Sequence, residues 1–259
     1  MTPLQAALLG LIQGLTEFLP VSSSGHLALG QAILGIETGD ITFEVIVHFG
    51  TLLAVLTALR ERIRNLVGGC FQGDRKAWRM VLLLVLGTVP AAVAGLAFKD
   101  SLASAFADPR AVSGWLMVTG MILWSTRSRT GERTQMRFWD TIWIGVAQAL
   151  AVLPGISRSG STIAAGLWRG LDGREAATFS FLLSIPIILG ATVLEVGDLV
   201  AHPPTRETLV PLVIGACTAY VSGGVAIRWL LRILQGGRLD RFAYYCWVVG
   251  AVGLLFFGA

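Results

Sequence analysis

Apolar segments long enough to cross a membrane recur along the whole chain, and they constrain its fold more than any other feature. A helix needs roughly 20 residues to cross a hydrocarbon core of about 30 Å. Six segments approach this length, at residues 41–59, 80–98, 111–125, 177–198, 208–228 and 242–258, of which the third is the shortest. Because lipid satisfies no backbone polar group, each is predicted to be an α-helix.

The composition supports an all-α integral membrane protein. With 54% hydrophobic and 14% charged residues among 259, a soluble protein would lack enough polar surface. The opening residues do not resemble a removable signal peptide, because Gln13 and Glu17 interrupt their apolar stretch.

The charge of the connecting loops predicts the orientation of the chain. Three loops are rich in Arg and Lys, at residues 60–79, 127–137 and 228–241. Two others carry similar numbers of acidic and basic residues, at residues 99–110 and 198–207. Since Lys and Arg accumulate in cytoplasmic loops, the three basic loops are predicted to face the cytoplasm. This topology accounts for the isoelectric point near 9.3, so the basic balance does not indicate a nucleic-acid partner.

The same topology predicts two re-entrant helical hairpins. Residues 139 and 176 both fall on the cytoplasmic side, and the segment between them is interrupted by PGISRSGST, residues 154–162, the second loop. The first 40 residues are interrupted by PVSSSGH, residues 20–26, the first loop, and are predicted to enter from the other face. The N-terminus is then outside.

An internal repeat relates the two hairpins within one membrane domain. Sliding the sequence by 135 positions brings together equivalent residues, including Gly10 with Gly145, Gln13 with Gln148, Ser22 with Ser157 and Gly25 with Gly160. The repeats cover approximately residues 1–130 and 136–259. Three crossings per repeat invert the second half relative to the first, as in transporters. The predicted fold is six transmembrane helices plus two re-entrant hairpins whose loops meet near mid-bilayer.

Ionisable residues inside these segments are costly and are therefore candidate functional residues. They are Glu17, His26 and Arg158, with Glu44 and His48 in the following helix. Glu17 lies one helical turn after Gln13, and its carboxylate could bind a divalent cation, act as a general base or orient a histidine. The alternative is that Glu17 only pairs with a buried arginine.

Both loops carry hydroxyl groups next to an ionisable residue. Ser22, Ser23 and Ser24 precede His26, an arrangement that suits an activated nucleophile or a proton relay, although serines in this position also cap helices. In the second loop, the amides of a helix start, several hydroxyls and the Arg158 guanidinium suit phosphate oxygens. The alternative there is a capped helix start in which Glu17 neutralises Arg158.

These motifs resemble those of the bacitracin-resistance undecaprenyl pyrophosphate phosphatases. The resemblance rests on the pattern from Gln13 to Glu17, the SSSGH sequence and the pattern from Pro154 to Thr162, and it covers essentially the whole chain. It implies a bacterial cytoplasmic (inner) membrane enzyme that hydrolyses undecaprenyl diphosphate to the monophosphate and inorganic phosphate. This reaction recycles the lipid carrier for peptidoglycan synthesis and confers bacitracin resistance. The resemblance favours a site open to the outer, periplasmic face, and it is compatible with a homodimer.

The resemblance also implies roles for individual residues. Glu17, His26 and Arg158 are expected to form the functional core, and the attacking group is either Ser23 assisted by His26 or a water activated by His26 or Glu17. The expected phosphate contacts are Gln13, Ser22, Ser24, Ser157, Ser159, Gly160 and Thr162. Mg²⁺ or Ca²⁺ is expected to be held partly by Glu17. Many members carry Glu at the position of Gln13, so metal affinity is expected to be weaker here.

Two other functions share parts of this pattern. An inverted repeat is transporter architecture, so the chain could instead move a lipid phosphate across the membrane as a flippase. A phosphatidic-acid-type phosphatase needs a late histidine followed four residues later by aspartate, but His202 is followed by Arg206 at that spacing.

Overall fold

The computed structural model describes residues 1–36, 41–129, 131–201, 205–235 and 238–258, and these fold almost entirely into α-helices. The first half forms α1 (Pro3–Phe18), α2 (Ser23–Ile33), α3 (Ile41–Ala58), α4 (Arg60–Phe71), α5 (Arg75–Ala97), α6 (Lys99–Phe106) and α7 (Pro109–Trp124). The second half forms α8 (Phe138–Leu150), α9 (Arg158–Trp168), α10 (Gly173–Ala201), α11 (Arg206–Leu234) and, after a 3₁₀ turn at Leu239–Arg241, α12 (Phe242–Phe257). Residue 40 and His202, which entered the sequence predictions, lie outside the described residues.

Two pairs of short helices occupy the segments predicted as hairpins. The first pair, α1 and α2, is interrupted at the first loop, and the second pair, α8 and α9, is interrupted at the second. The longest of the four, α1, has 16 residues and measures about 24 Å at 1.5 Å per residue. Helix α1 ends because Leu19 precedes Pro20 and takes an extended conformation.

Four helices of the described chain are long and apolar enough to cross a membrane. They are α5, the Gly173–Val193 part of α10, the Glu207–Leu234 part of α11, and Leu239–Phe257, which contains α12. Helices α3 and α4 form a fifth candidate together, but the chain bends by 76° between them. The shortest predicted segment coincides with α7, which has 16 residues.

The basic stretch after α3 differs from its prediction as a loop. Residues 60–71 form α4, which follows directly after the bend at Leu59. None of its residues is buried, and Phe71 at its end is 89% exposed. Arg, Glu and Leu are good helix formers, so this polar connection folds locally although it packs little against the rest of the protein.

Each hairpin packs against a long helix of the other half. Helix α1 lies along α11, and α8 lies along α5. These contacts are so close that a Cβ on Gly10 would lie 2.9 Å from the Cα of Gly215, and one on Gly145 would lie 3.3 Å from the Cα of Gly87. Small residues allow helices in lipid to approach in this way. The two halves therefore interlock and place both loops in the interior.

A buried cluster of ion pairs stabilises the base of the second hairpin. The Asp140 carboxylate in the first turn of α8 is fully buried, and its Oδ2 lies 2.6 Å from Nη1 of Arg133. Its Oδ1 lies 3.1 Å from Nε of Arg169, at the end of α9. One carboxylate thus joins both ends of the hairpin, since a buried charge requires paired partners.

The outer surface of the helices is apolar. Large side chains on α5 and α12 are exposed, among them Leu82, Val93, Leu96, Val248, Leu255 and Phe256. The interior is packed by others, such as Phe18 and Phe181, whose rings meet edge to face at 5.3 Å. Extended apolar surface of this kind is typical of a multi-pass membrane protein, in which lipid covers the exterior.

Candidate active site

The first loop contains a backbone conformation that only glycine adopts readily. Ser22 has φ 69°, and among the described residues it is the one non-glycine residue with positive φ. Its Oγ caps α2 by accepting a hydrogen bond from the amide of Gly25 at 3.3 Å. The strained residue therefore sits directly before Ser23, at the start of the helix.

The second loop also leads into a serine-capped helix, but its positive φ lies on a glycine. Gly155 carries the positive φ, 95°, where it costs little because glycine has no Cβ. Ser157 is unstrained at φ −71° and caps α9 by accepting from the amide of Gly160 at 3.0 Å. Thr119 of α7 fastens this loop, because its hydroxyl donates to the Gly155 carbonyl at 2.7 Å and accepts from the Ser157 amide at 3.0 Å.

The two loops meet inside the protein. The Ser159 hydroxyl of the second loop donates to the carbonyl of Leu19 beside the first loop at 3.0 Å. The backbones also touch, since a Cβ on Gly25 would lie 3.0 Å from the Cα of Gly155. Residues 140 positions apart in the sequence thereby share one site.

Glu17 lies at the centre of this site and is 6% exposed. Its Oε1 accepts a hydrogen bond from Nη2 of Arg158, and this contact is also an ion pair. Its Oε2 accepts from the Ser23 hydroxyl at 2.5 Å and from Nε2 of Gln13 at 2.9 Å. Four of the residues predicted from sequence therefore come together, and the predicted pairing of Glu17 with an arginine is present.

A histidine with no predicted role also faces Glu17. His48 of α3 places Nε2 3.5 Å from Oε2 of the glutamate. Its other ring nitrogen lies 2.7 Å from the carbonyl oxygen of Glu44, and since a carbonyl only accepts, Nδ1 carries the hydrogen. An ionisable residue in an apolar helix was the signal that identified His48 as a candidate, but the sequence alone could not place it beside Glu17.

The predicted residue His26 occupies a different position. Its ring lies against Tyr245 of α12, with centroids 5.6 Å apart and planes at 8°. Nδ1 lies 2.8 Å from the carbonyl oxygen of Ser22, and Nε2 lies 2.9 Å from the Tyr245 hydroxyl. The structure therefore places the His26 ring against α12, and both of its nitrogens bond groups other than the Ser23 hydroxyl.

The predicted phosphate contacts divide into two groups. Four of them line a cavity, namely Ser22, Ser24, Ser157 and Ser159. The same cavity is lined by Glu17, Ser23, His48 and Arg158. Gln13, Gly160 and Thr162 lie outside its lining. Thr162 instead bonds within the protein, with its hydroxyl 2.7 Å from that of Ser180.

The cavity has a volume of about 660 Å³. The two loops contribute a polar part of its lining, the polar end. Its apolar walls come from α5 and α10, including Ala91, Ala92, Gly95, Leu96, Pro186, Ile187 and Ile188. Gln148, the repeat counterpart of Gln13, also lines it and donates from Nε2 to the Gly87 carbonyl at 3.1 Å. An amphipathic cavity of this kind suits a ligand with a charged head and an apolar tail.

Comparison with known proteins identifies the family. The model of the family described as bacitracin resistance protein BacA matches residues 6–252. The chain is 43% identical over 253 residues to an undecaprenyl-diphosphatase of Halothermothrix orenii, covering 96% of each chain. It is 45% identical over 271 residues to an undecaprenyl-diphosphatase of Desulfosudis oleivorans, covering 98% of each chain. Since these matches span nearly the whole chain and include both loops, the chain belongs to the bacitracin resistance protein BacA family.

Proposed function

We propose that this protein is a membrane phosphatase that hydrolyses undecaprenyl diphosphate to undecaprenyl phosphate and inorganic phosphate. The observation that carries the proposal is the convergence of Glu17, Ser23 and Arg158 at the polar end of a cavity with apolar walls. The relatives are named for this activity. The reaction would return the lipid carrier to peptidoglycan synthesis and thereby confer bacitracin resistance. The transporter alternative is not favoured, because its only support was the inverted repeat.

The lining of the cavity sets the orientation proposed for the substrate. Its diphosphate belongs at the polar end, where Arg158 and the first amides of α2 and α9 supply positive charge and hydrogen-bond donors. The prenyl chain belongs along α5 and α10, where the walls are apolar. When the diphosphate binds, its oxygens would take over the Arg158 guanidinium from Glu17 and release that carboxylate for chemistry.

The geometry favours Ser23 as the attacking group and Glu17 as its base. The Ser23 hydroxyl already donates to the Glu17 carboxylate at 2.5 Å. In the proposed first step, Oγ forms a bond to the terminal phosphorus while Glu17 takes its proton, and the bond from that phosphorus to the bridging oxygen breaks. Undecaprenyl phosphate leaves, and water then hydrolyses the phosphoserine. Arg158 stabilises the negative charge on the transferred phosphoryl group in both steps.

We propose that a divalent cation is shared between Glu17 and the substrate. No group of three or more Asp, Glu, His or Cys side chains that could hold a metal occurs among the described residues. The substrate would therefore supply part of the coordination. Glu17 supplies one carboxylate, and the buried Oε1 of neighbouring Gln13 has no hydrogen-bond partner in the described chain. Mg²⁺ and Ca²⁺ accept such oxygen ligands, with substrate phosphates completing their coordination. When bound there, the cation would neutralise charge on the diphosphate.

The proposal includes a membrane topology for the bacterial inner membrane. Six helices would cross this membrane: α3, α5, α7, α10, α11 and α12. The α1–α2 and α8–α9 pairs would be re-entrant. With the basic connections in the cytoplasm, α5 runs outward from Arg75. Gly95 and Leu96, near its outer end, line the cavity. The site would therefore open toward the periplasm and the outer leaflet.

The test is phosphate release from undecaprenyl diphosphate by the purified protein in detergent. We expect release by the wild type, loss of release in Arg158→Ala, and retention in Arg174→Ala, which removes an exposed arginine. A chelator should abolish release, and added Mg²⁺ or Ca²⁺ should restore it. A folded wild type that releases no phosphate would overturn the proposed function, and an active Arg158→Ala would overturn the site.

A further inference from the structure

The pair formed by His26 and Tyr245 lies outside the cavity but contacts the loop that forms it. Tyr245 belongs to α12, 219 positions further along the chain, and the residue is 46% exposed. Neither residue lines the cavity. The proposed reaction therefore leaves both without a direct contact to the substrate.

The hydrogen bonds of His26 fix the tautomer of its ring. Nδ1 must carry a hydrogen, because the Ser22 carbonyl at 2.8 Å can only accept. In the neutral ring Nε2 then has a lone pair, and it accepts from the Tyr245 hydroxyl at 2.9 Å. Both nitrogens are engaged, so Nε2 is not free to accept a proton from Ser23.

Ser22, whose carbonyl accepts the hydrogen bond from His26, has a strained backbone conformation. Ser22 has φ 69° and ψ 94°, a conformation that a side chain with a Cβ rarely adopts. Such strain persists only when surrounding contacts hold it. The Ser22 carbonyl is held twice by His26, through the ring and through the backbone amide at 3.1 Å. Ser22 in turn sets the direction of Ser23, the next residue, whose hydroxyl meets Glu17.

We infer that Tyr245 is a positioning residue for the phosphatase reaction and acts through His26. Its hydroxyl fixes the His26 ring, the ring holds the Ser22 carbonyl, and the held peptide directs the Ser23 hydroxyl toward Glu17. The inference rests on the proposed function for the role of Ser23. It assigns a role in the reaction to α12.

The first test is kinetic and uses two neighbouring tyrosines. Tyr245→Phe keeps the ring but removes the hydroxyl, and we expect kcat to fall roughly tenfold to a hundredfold, as for an attacking group displaced by a fraction of an ångström. KM should change by less than about twofold, because binding of the diphosphate depends on Arg158. Tyr244→Phe is the matched control, since Tyr244 packs against Trp124 and Trp247 instead. Equal effects in both variants, or a change confined to KM, would overturn the inference.

A second test distinguishes holding a strained residue from general packing. Glycine adopts positive φ without strain, so in a Ser22→Gly background the Tyr245→Phe substitution should lower kcat by less than about threefold. A loss as large as in the parent protein would show that Tyr245 acts by another route.

Likewise, His26→Asn keeps a donor at the position of Nδ1 and should retain more activity than His26→Gln, which keeps one only at the position of Nε2.

A third readout does not depend on the reaction. In ¹⁵N-histidine NMR of the wild type in detergent, His26 should carry its hydrogen on Nδ1, and Tyr245→Phe should shift its Nε2 resonance. A His26 protonated only on Nε2 would overturn the inference even if the enzyme is active. Conversely, absence of phosphate release from wild type would overturn the proposed function, and the NMR spectrum would still decide whether Tyr245 holds His26.

Discussion

The two loops have equivalent sequences but contribute different chemistry to one site. In each, a serine caps the following helix, Ser22 in the first and Ser157 in the second. The next residue reaches Glu17 in both cases, but it is Ser23 in one loop and Arg158 in the other. The repeat thus brings a hydroxyl and a guanidinium to opposite oxygens of one carboxylate. A duplicated framework can therefore supply a nucleophile from one copy and charge stabilisation from the other.

The loops also differ in how their backbones are held. The second loop places its positive φ on Gly155 and is fastened by the buried hydroxyl of Thr119. The first places it on Ser22 and is fastened through His26 by a tyrosine on the surface. In both cases the support comes from the last long helix of the other half, α7 or α12. The first loop is consequently the more strained of the two, and it carries the proposed nucleophile.

The largest expected effect comes from removing the one carboxylate that the loops share. The repeat counterpart of Glu17 is Val152, so Glu17→Val makes the two hairpins alike at this position. Arg158 then loses its buried counter-charge and Ser23 its proton acceptor, and we expect phosphate release to fall by about a thousandfold or more. Glu61→Val, the same change at an exposed position, should leave release unchanged. Substantial activity in Glu17→Val would show that the carboxylate does not take part in the chemistry.

The next effect tests the glycine that gives the second loop its turn. Gly155→Ala places a methyl group at φ 95° and 2.7 Å from the Cβ of Trp115. Both strain and overlap must be relieved by moving the backbone, so we expect a loss of about 3 kcal/mol in unfolding free energy. Gly68→Ala in α4, where an added Cβ meets nothing within 4 Å, should stabilise slightly. An unchanged thermal midpoint for Gly155→Ala would mean that the loop is not rigid.

The contrast between the loops also shows what sequence reasoning could reach. The helix breaks follow from Pro20 and from the serine caps, which are local features that a sequence displays. The meeting of Glu17 with Arg158 could be predicted from the repeat, because the predicted topology places the two loops opposite each other. The contact of His26 with Tyr245 had no such signal, because it joins residues 219 positions apart and a tyrosine near a helix end is common in membrane proteins.

A smaller effect is expected from the support of the second loop. Thr119→Val keeps the shape of the side chain but removes the hydroxyl that bonds both Gly155 and Ser157. Two buried backbone groups would lose their partner, at a cost of about 2 kcal/mol. Thr57→Val removes an exposed hydroxyl that bonds only its own helix and should change stability by less than about 0.5 kcal/mol. Equal thermal midpoints for these two variants would show that Thr119 does not fasten the loop.

The smallest effects should differ in sign between the two caps. Ser157→Gly loses a cap at an ordinary φ and adds backbone freedom, so it should destabilise the protein by about 0.5 kcal/mol. Ser22→Gly also loses a cap, but it relieves the strain at φ 69°, and we expect a net gain of about 0.5 kcal/mol. The measurement is the thermal midpoint of each variant beside the wild type in one detergent. Phosphate release by Ser22→Gly should nevertheless fall, because a relaxed peptide directs Ser23 less firmly toward Glu17. If Ser22→Gly lost stability as Ser157→Gly does, the strain in the first loop would be absent in solution, and the difference between the loops would lie only in the residues they present.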